Sequence, residues 1–407
     1  MHILLIHQAY IGLDEAGGTR HAEMASYLAD RGHRITIITG STSYLTGKTR
    51  HAKPGWKEVE EPAAGITVMR VWNSAALHRG FLSRLVSFFS FMLSSWIAAQ
   101  GVKNVDVVWG TSPPIFQAFS AWLVAFLKRK PFLFEVRDLW PAFAVAMGVI
   151  RSRFIISLSL WLERFLYRNA HLLVVNSPGF IEHVQKKGAE NIALVPNGVD
   201  VSMFDPALDG ADWRKRHDLV GKFLVVYAGA HGPSNDLGVV LQAAEILREE
   251  KDIHFVLIGD GKDKSLLQQQ ARKQDLINIT FLPPVKKNEM KYCLAAADAC
   301  LAILKPLTLY RTTYPNKVFD YMAAGRAVVL AIDGVIRSVV EEAQAGIFVP
   351  PGDGKALAEG INKLSHTPGL AEAMGQSGRR FVAENFDRHR FTQQFLEIVE
   401  SLVRSER

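Results

Sequence analysis

The sequence is poor in cysteine and in clustered metal ligands, and each shortage excludes a class of protein. Its two cysteines, Cys293 and Cys300, match no metal or redox spacing, so we expect buried thiols and not a disulfide scaffold. No Asp-x-Asp pair and no His/Asp/Glu cluster with ligand spacing occurs, so we expect no bound metal and no cofactor. The G-x-G-x-x-G pattern is also absent, which disfavours a dehydrogenase.

Long uncharged apolar runs are missing too. The opening run, MHILLIHQAY, has no basic residues before it and no cleavage site of small residues, so we interpret it as a buried strand and not as a signal peptide. The nearest approach to a membrane span is residues 81–99, FLSRLVSFFSFMLSSWIAA, which contains Arg84 and several serines and is near the lower length limit. We therefore predict a buried or interfacial helix there, in a cytoplasmic protein.

Acidic residues are scarce in the first half of the chain. Residues 1–200 hold 21 Lys and Arg against 14 Asp and Glu, whereas residues 201–407 hold 26 of each. The basic residues are scattered and no stacking aromatics are interleaved with them, so we expect no nucleic-acid partner. An anionic membrane or a lipid phosphate fits the excess charge better. A solubility bias without a partner is the alternative.

The chain begins a strand–loop–helix pattern twice. Its 407 residues are too many for one ordinary core. The pattern starts with the strand HILLI, which is followed by a loop with Gly17-Gly18 and then by a helix. It starts again with the strand KFLVVYAGA. This predicts an α/β protein with two doubly wound Rossmann-like domains facing across a cleft. We place them at residues 1–198 and 199–385, with a last helix at 386–407 packing back on the first domain.

The segment 311–325, RTTYPNKVFDYMAAG, is the most informative motif. Pro315 suits the start of a helix, because its missing N–H needs no partner there. The free N–H groups of the first turn form an anion site, to which Lys317 and Arg311 add charge. Asp320, one turn later, is placed to accept from two ribose hydroxyls. The alternative is that Lys317 and Asp320 form a solvated pair on an ordinary helix.

This segment resembles the P-x-K-x-x-E-Y-M-A-x-G motif of GT-B glycosyltransferases of the retaining family 4. Within that family it resembles the bacterial O-antigen and capsule branch typified by N-acetyl-fucosamine transferases. EVRDLWP at 135–141, VPNGVD at 195–200 and GDG at 259–261 match other family segments in order, so the resemblance covers nearly the whole chain.

The resemblance implies a GT-B fold and metal-independent transfer, with retention of configuration, from a UDP-sugar. The sugar is expected to be an N-acetylated amino or deoxyamino hexose. The acceptor is expected to be a saccharide on undecaprenyl diphosphate, held at the inner face of an anionic membrane during O-antigen, capsule or exopolysaccharide synthesis. No protein base is expected, because the leaving phosphate accepts the acceptor proton.

By the same resemblance, Asp320 stands at the second glutamate of the family's E-x7-E motif, whereas Thr312 replaces the first. The loop at the end of KFLVVYAGA also departs from the family, because it reads Gly229-Ala230-His231-Gly232 where relatives have G-R-L, and Asn235 stands where they have a lysine, so both cations are missing. Arg311 and Lys317 are expected to substitute for them. The predicted donor residues are Gly17, Gly18, Gly229, His231, Gly259, Asp260, Thr312, Thr313, Tyr314, Pro315, Asn316 and Asp320, and the predicted catalytic residues are Arg311, Lys317 and Arg137.

The acceptor side is predicted in the first domain. Glu135, Arg137, Asp138 and Trp140 follow the buried strand PFLFEV, and we assign Glu135 and Asp138 to acceptor binding and Arg137 to an anion or the acceptor. Two aromatic segments with basic flanks, FLSRLVSFFSFMLSSWIAA and FSAWLVAFLKRKPFLF, are predicted to meet the membrane. Two alternatives stay open: an epimerase of the same fold acting on a UDP-amino sugar, and a non-catalytic nucleotide-sugar-binding protein.

Overall fold

The structure is a computed structural model that describes residues 1–13, 15, 17–42, 55–75, 81–205 and 207–406, with the side chains of residues 81 and 82 left undescribed. Contacts divide the described residues into two compact units. The first unit comprises residues 1–12, 19–196 and 389–406. The second comprises residues 197–388 together with the described residues between 13 and 18.

The first unit is built on one sheet with strand order β3-β4-β2-β1-β5-β6-β7-β8. All neighbouring strands are parallel except the β3–β4 hairpin. Its strands are β1 (His2–Ile6), β2 (Arg34–Gly40), β3 (Lys57–Ala63), β4 (Ile66–Val71), β5 (Val107–Ser112), β6 (Phe132–Val136), β7 (Leu172–Val175) and β8 (Ile192–Leu194). Its helices are α1 (Arg20–Ala29), α2 (Phe81–Gln100), α3 (Ile115–Lys128), α4 (Ala142–Ala146), α5 (Arg153–Asn169) and α6 (Ile181–Lys186).

Apolar runs explain the centre of this sheet. Every residue of β1, β5, β6 and β7 is buried, as expected for parallel strands covered by helices on both faces. The β3 strand, KEVEEPA, is partly exposed at the edge of the sheet and carries charged side chains. Charges on an edge strand oppose pairing with other chains.

The second unit has a fully parallel sheet of order β11-β10-β9-β12-β13-β14. Side chains alternate between its two faces along β9, with Leu224 and Val226 in one apolar core and Val225 and Tyr227 in the other. Its strands are β9 (Phe223–Ala228), β10 (Ile253–Ile258), β11 (Ile279–Leu282), β12 (Ala299–Ile303), β13 (Ala327–Ala331) and β14 (Gly346–Phe348). Its helices are α7 (Ala211–Arg216), α8 (Leu237–Ile246), α9 (Lys264–Lys273), α10 (Lys287–Ala295), α11 (Asn316–Ala323), α12 (Val335–Glu342), α13 (Gly354–His366) and α14 (Leu370–Asn385).

The last helix, α15 (Arg388–Ser405), contributes to the core of the first unit. Phe395 is fully buried, with its ring centroid 4.7 Å from that of Trp109 in β5. Tyr27 of α1 donates a hydrogen bond to Gln393 Oε1 at 3.1 Å. An aromatic contact and a polar contact thus both join α15 to the first sheet and its first helix.

The predicted fold class is confirmed, because two doubly wound parallel sheets account for the two units. Both cysteines are buried, as predicted, with Cys293 in α10 and Cys300 in β12. Within the described part of the chain, no helix is both long and apolar enough to cross a bilayer.

Candidate functional site

The predicted donor residues of the second unit gather where its central strands end. Because the strands are parallel, the loops after β9, β10 and β12 all emerge at the carboxyl edge of the sheet. The helix α11 begins at this edge after Pro315, whose φ of −68° is already helical. Tyr321 of α11 exchanges two hydrogen bonds with the backbone of Ala228 at the end of β9, at 2.9 and 3.2 Å. The second half of α11 is therefore attached to the last residue of β9.

Lys317 lies directly over the end of β9. Its Nζ is 4.0 Å from the ring centroid of Tyr227 and 3.5 Å from Asn235 Oδ1. Burial lowers the pKa of Lys317 to about 7. Gly229 is needed beside it, because a Cβ there would lie 2.8 Å from Lys317 Nζ in a backbone with φ of +154°. The contact with Asn235 places Lys317 beside the position at which the resemblance to family 4 predicts a lysine.

His231 is fully buried with both ring nitrogens lacking a hydrogen-bond partner among the described residues. Burial and the positive charge of Lys264 lower its pKa to about 4, so the ring is neutral near pH 7. Its backbone N–H donates to Asp260 O at 2.8 Å, which joins the loops after β9 and β10. Gly259 permits this close approach, because a Cβ there would lie 1.9 Å from the carbonyl oxygen of Gly229. A neutral imidazole with two unpaired nitrogens can both donate to and accept from a ligand.

Two lysines that the sequence analysis did not single out hold parts of this edge. Lys264 donates to the carbonyl oxygens of Gly259 at 2.7 Å and Leu282 at 2.9 Å, so it joins the ends of β10 and β11. Lys287, the first residue of α10, forms an ion pair with Asp320 at 2.7 Å, and both side chains are largely buried. Asp320 therefore does not pair with Lys317 as the alternative interpretation required.

The other predicted residues of this segment differ in exposure. Arg311 is 58% exposed and pairs with Asp333 at 3.1 Å. The hydroxyls of Thr312 and Thr313 donate to carbonyl oxygens of the preceding turn at 2.7 and 2.9 Å, and Tyr314 packs against Phe319 and Phe386. Asn316 Oδ1 is buried without a hydrogen-bond partner in the described part of the chain.

A cavity of about 210 Å³ adjoins this segment and is lined by Lys305, Pro306, Leu307, Thr308, Tyr310, Arg311, Ile332, Asp333 and Pro351.

The structure places Glu135 inside the first unit. It is fully buried, Arg20 donates to its Oε1 at 3.0 Å, and His21 Nε2 lies 2.6 Å from its Oε2. Burial raises the pKa of Glu135, but the charges and hydrogen bonds of His21 and Arg20 outweigh it and hold this pKa well below its ordinary range. Arg20 also donates to the carbonyl oxygens of Val195 and Pro196. In this geometry Glu135 ties the start of α1 to the end of the sheet.

Arg137 and Asp138 are partly exposed where β6 ends. Arg137 Nε donates to Thr111 Oγ1 at 2.9 Å, and its Nη2 lies 2.9 Å from His7 Nε2. Burial raises the pKa of Asp138 to about 7, against the opposing charge of Arg137. Asp138 is consequently balanced between its acid and its carboxylate near neutral pH. Trp140 packs edge-on against Phe116 with ring centroids 5.6 Å apart.

Gly17 and Gly18 are exposed in the loop that precedes α1. Gly17 has a φ of +134°, which favours glycine, and a Cβ on Gly18 would meet nothing within 4 Å. Space for a ligand group is thus present beside Gly18.

An exposed apolar face covers three helices of the first unit, and we refer to it as the apolar surface. Within α2 the exposed side chains recur at helical spacing, which gives one stripe. Its members are Val86, Phe89, Leu93 and Ile97 of α2, Phe126 and Leu127 of α3, and Phe154, Leu158 and Trp161 of α5. Aromatic rings join the helices, because Phe89 lies 5.0 Å from Phe116 of α3, and Trp122 of α3 lies 4.7 Å from Phe165 of α5. The contribution of α5 was not predicted.

The chain around the apolar surface is strongly basic. Residues 81–170 contain ten Lys and Arg but four Asp and Glu. None of the four acidic residues is exposed, whereas the clusters at 128–130 and 151–153 are mostly exposed. Among the described residues, no three His, Cys, Asp or Glu side chains are grouped so that they could hold a metal ion.

Two family models match the chain and together cover most of it. Residues 16–198 match the Glycosyl transferase 4-like domain, and residues 209–381 match the Glycosyl transferases group 1 domain. The putative colanic acid biosynthesis glycosyl transferase WcaI of Escherichia coli strain K12 is 25% identical over 393 residues, which is 93% of this chain and 95% of that protein.

Solved structures agree on the fold. Sucrose-phosphate synthase from Thermosynechococcus elongatus superposes with a TM-score of 0.79 at 19% identity, covering 99% of both chains. HepE of Anabaena in complex with UDP-glucose gives 0.73 at 18% identity, covering 98% of this chain and 100% of that one. The lipopolysaccharide glycosyltransferase WaaG gives 0.68 at 15% identity, covering 97% and 99%. The predictions of a GT-B fold and of a glycosyltransferase are confirmed, whereas the narrower resemblance to N-acetyl-fucosamine transferases stays a prediction.

Proposed function

We propose that this chain, a glycosyltransferase of the GT-B fold with a 4-like and a group 1 domain, moves a sugar from a UDP-sugar to a lipid-linked saccharide. The sugar is proposed to be an N-acetylated amino or deoxyamino hexose, and the product a precursor of O-antigen, capsule or exopolysaccharide. A relative named for colanic acid biosynthesis supports a polysaccharide product, and a fold neighbour holding UDP-glucose supports a UDP-sugar donor.

The observation that carries the proposal is the pairing of Lys317 with an unpartnered His231 at the carboxyl edge of the second sheet. Both groups lie near the Tyr227 ring, with Lys317 Nζ 4.0 Å and the His231 ring centroid 5.9 Å from its centroid, and Lys317 is in the first turn of α11. A cation, two unpaired ring nitrogens and a helix start suit a diphosphate. Asp320 is proposed to hold the ribose, with Lys287 fixing its carboxylate.

Transfer needs stabilisation of the leaving diphosphate and no protein base. The bond from the anomeric carbon to the UDP oxygen breaks, and the acceptor oxygen bonds to that carbon on the same face. The acceptor's proton passes to the leaving phosphate. Lys317 and Arg311 are proposed to stabilise the developing negative charge without a metal ion, and Arg137 is proposed to contact an anion or the acceptor.

The acceptor is proposed to sit at an anionic membrane. Exposed aromatic and aliphatic side chains with basic residues beside them are the composition of interfacial helices. The apolar surface of the first unit has both features, and residues 81–170, which contain it, have no exposed acidic side chain that would oppose anionic lipid. We propose that the protein works at the inner face of the membrane with α2, α3 and α5 against the headgroups.

Calorimetric titration with UDP, GDP and dTDP, first without metal and then with Mg²⁺, tests the donor site. We expect saturable binding of UDP without metal, and a loss of at least about 10-fold in affinity in Lys317→Ala, because a charge-assisted contact is removed. The matched control is Lys273→Ala, which removes one exposed lysine from the end of α9.

Lys273→Ala is expected to bind UDP as the parent protein does. Folded protein that binds none of the three nucleotides, with or without Mg²⁺, contradicts the proposed diphosphate site. Binding of GDP or dTDP in preference to UDP keeps the site but corrects the donor.

A further inference from the structure

A buried histidine at the end of β1 contacts Arg137. His7 is 3% exposed, and its Nε2 lies 2.9 Å from Arg137 Nη2. Arg137 comes from the end of β6, and β5 lies between the two strands. The same guanidinium donates through Nε to Thr111 Oγ1 at 2.9 Å and to Ser112 O at 3.3 Å. Arg137 is therefore oriented by groups from two neighbouring strands.

The contact determines the protonation state of His7. A guanidinium only donates hydrogen bonds, so His7 Nε2 accepts and the ring proton is on Nδ1. A doubly protonated ring would direct an N–H at the guanidinium, so the contact requires the neutral ring. Burial, followed by the positive charge of Arg137, keeps the pKa of His7 well below its ordinary value, in the same direction.

Packing alone does not account for a histidine here. Nδ1 is buried and lacks a hydrogen-bond partner among the described residues. The ring packs against the rings of His21 at 4.5 Å and Tyr10 at 6.5 Å. A phenylalanine would fill the same space without burying an unpaired N–H, which is costly. What the histidine adds is the acceptor at Nε2.

We infer that His7 is a positioning residue, whose Nε2 fixes the guanidinium of Arg137 for contact with the substrate. The inference rests on the proposed role of Arg137 in transfer. Its first test needs no substrate, so its failure can be told from failure of the proposed function.

The first test is NMR of protein labelled with ¹³C in the histidine rings, in which the Cδ2 shift separates the two tautomers. The His7 signal is assigned by its loss in His7→Gln. We expect the Nδ1–H tautomer between pH 6 and 8, and a shift toward Nε2–H or an upward-shifted titration in Arg137→Ala. An Nε2–H ring in the parent protein, titration between pH 6 and 8, or no response to Arg137→Ala overturns the inference.

The second test separates positioning from packing through UDP release from UDP-glucose and UDP-N-acetylglucosamine. We expect kcat/KM to fall by at least about 10-fold in His7→Phe and to recover in His7→Gln, whose Oε1 can accept from Arg137. In an Arg137→Ala background, His7→Phe should cause no further fall. The melting temperature of His7→Phe should not fall.

The matched control is His2→Phe, which removes a buried histidine from the other end of β1. That ring bonds Thr36 Oγ1 at 2.8 Å, so we expect a lower melting temperature and an unchanged kcat/KM. Parent-like turnover in His7→Phe overturns the inference. If the parent releases no UDP from either sugar when the saccharide acceptor is absent, the tautomer measurement alone decides the inference.

Discussion

Lys317 contacts uncharged groups, and this environment affects how it binds an anionic ligand. A lysine in a partly buried site loses hydration that favours its charge, and the Tyr227 ring and the Asn235 amide replace that hydration only in part. Its pKa of about 7 follows from burial. An arriving diphosphate supplies the missing opposite charge, so binding should raise this pKa.

We predict that UDP binding takes up a proton at pH 8. The empty site holds Lys317 mostly neutral at that pH, the occupied site holds it charged, and the phosphate of UDP, with a pKa of about 6, is already deprotonated. The number of protons taken up on UDP binding should decrease below pH 7, where Lys317 is already charged before binding. Titration in buffers with different ionisation enthalpies measures the proton number directly. UDP binding with proton release, or with no uptake at pH 8, contradicts the prediction.

Lys317→Ala provides the control, since its residual UDP binding should show no uptake at pH 8. Affinity in the parent should decrease as pH rises from 7 to 9, because an increasing part of the binding free energy is spent on protonating Lys317. His231 should contribute little over this range, since its pKa of about 4 leaves it neutral throughout.

At the scale of elements, α15 shows how a segment remote in sequence completes a core. Its buried side chains include Phe391, Phe395, Leu396 and Val399. The Phe395 ring contacts Trp109 in the middle of the sheet. The first unit therefore depends for its stability on the last residues of the chain.

We predict that Phe395→Ala destabilises the first unit by roughly 3–5 kcal/mol, because it removes a fully buried aromatic ring and leaves a cavity. Urea unfolding followed by tryptophan fluorescence suits the measurement, because Trp213 is the single tryptophan of the eight that lies in the second unit. The control Glu397→Gln, on the exposed face of α15, should change stability by less than about 0.5 kcal/mol. A Phe395→Ala transition that coincides with that of the parent contradicts the prediction.

Which elements could be predicted follows from their patterns. The runs HILLI, VVWGTS and FLVVYA are buried on both faces, so composition alone identifies them as central parallel strands. The hairpin strand β3, KEVEEPA, lies at an exposed edge of the sheet. Its charged residues leave no apolar run from which the strand could be predicted. The apolar stripe of α5 was not predicted because serines, arginines and a glutamate interrupt its apolar residues, so that no long apolar run marks the helix.

Residues of the candidate site could be proposed from the sequence where they are close together in it, and not where the fold brings distant residues together. Segment 311–325 contains Pro315, Lys317 and Asp320 within six positions, so local spacing indicated them. The pairs His7–Arg137 and Lys287–Asp320 are separated by 130 and 33 residues. Only the strand order of each sheet makes them neighbours.

At the scale of the whole molecule, the uneven charge and the apolar surface belong to the same half of the chain. Neither feature is informative alone, because apolar atoms are common on protein surfaces and a basic excess also aids solubility. Their combination favours an anionic bilayer over a second copy of the chain, since two basic borders would repel each other. We therefore predict binding to vesicles with phosphatidylglycerol and weaker binding to pure phosphatidylcholine.

Co-sedimentation with the two kinds of vesicle measures this preference. The triple variant Phe154→Ser, Leu158→Ser, Trp161→Ser should bind phosphatidylglycerol vesicles at least about 10-fold more weakly, because it removes apolar area from α5. Salt should also weaken the binding of the parent protein to these vesicles, since each Lys or Arg near the membrane surface contributes about 1 kcal/mol to that binding.

The matched control replaces three exposed apolar residues of the second unit by serine: Val220, Ile246 and Ile277. It removes apolar surface from the electrically neutral half of the chain, so vesicle binding should be unchanged. Equal loss in both variants would mean that general hydrophobicity drives the binding. The parent protein could instead bind neither kind of vesicle and sediment as a dimer, while the α5 variant sediments as a monomer. That result would mean that a second copy of the chain, and not lipid, covers the apolar surface. Only a loss confined to the α5 variant, and reduced by salt in the parent, fits a protein that reaches its acceptor from an anionic membrane.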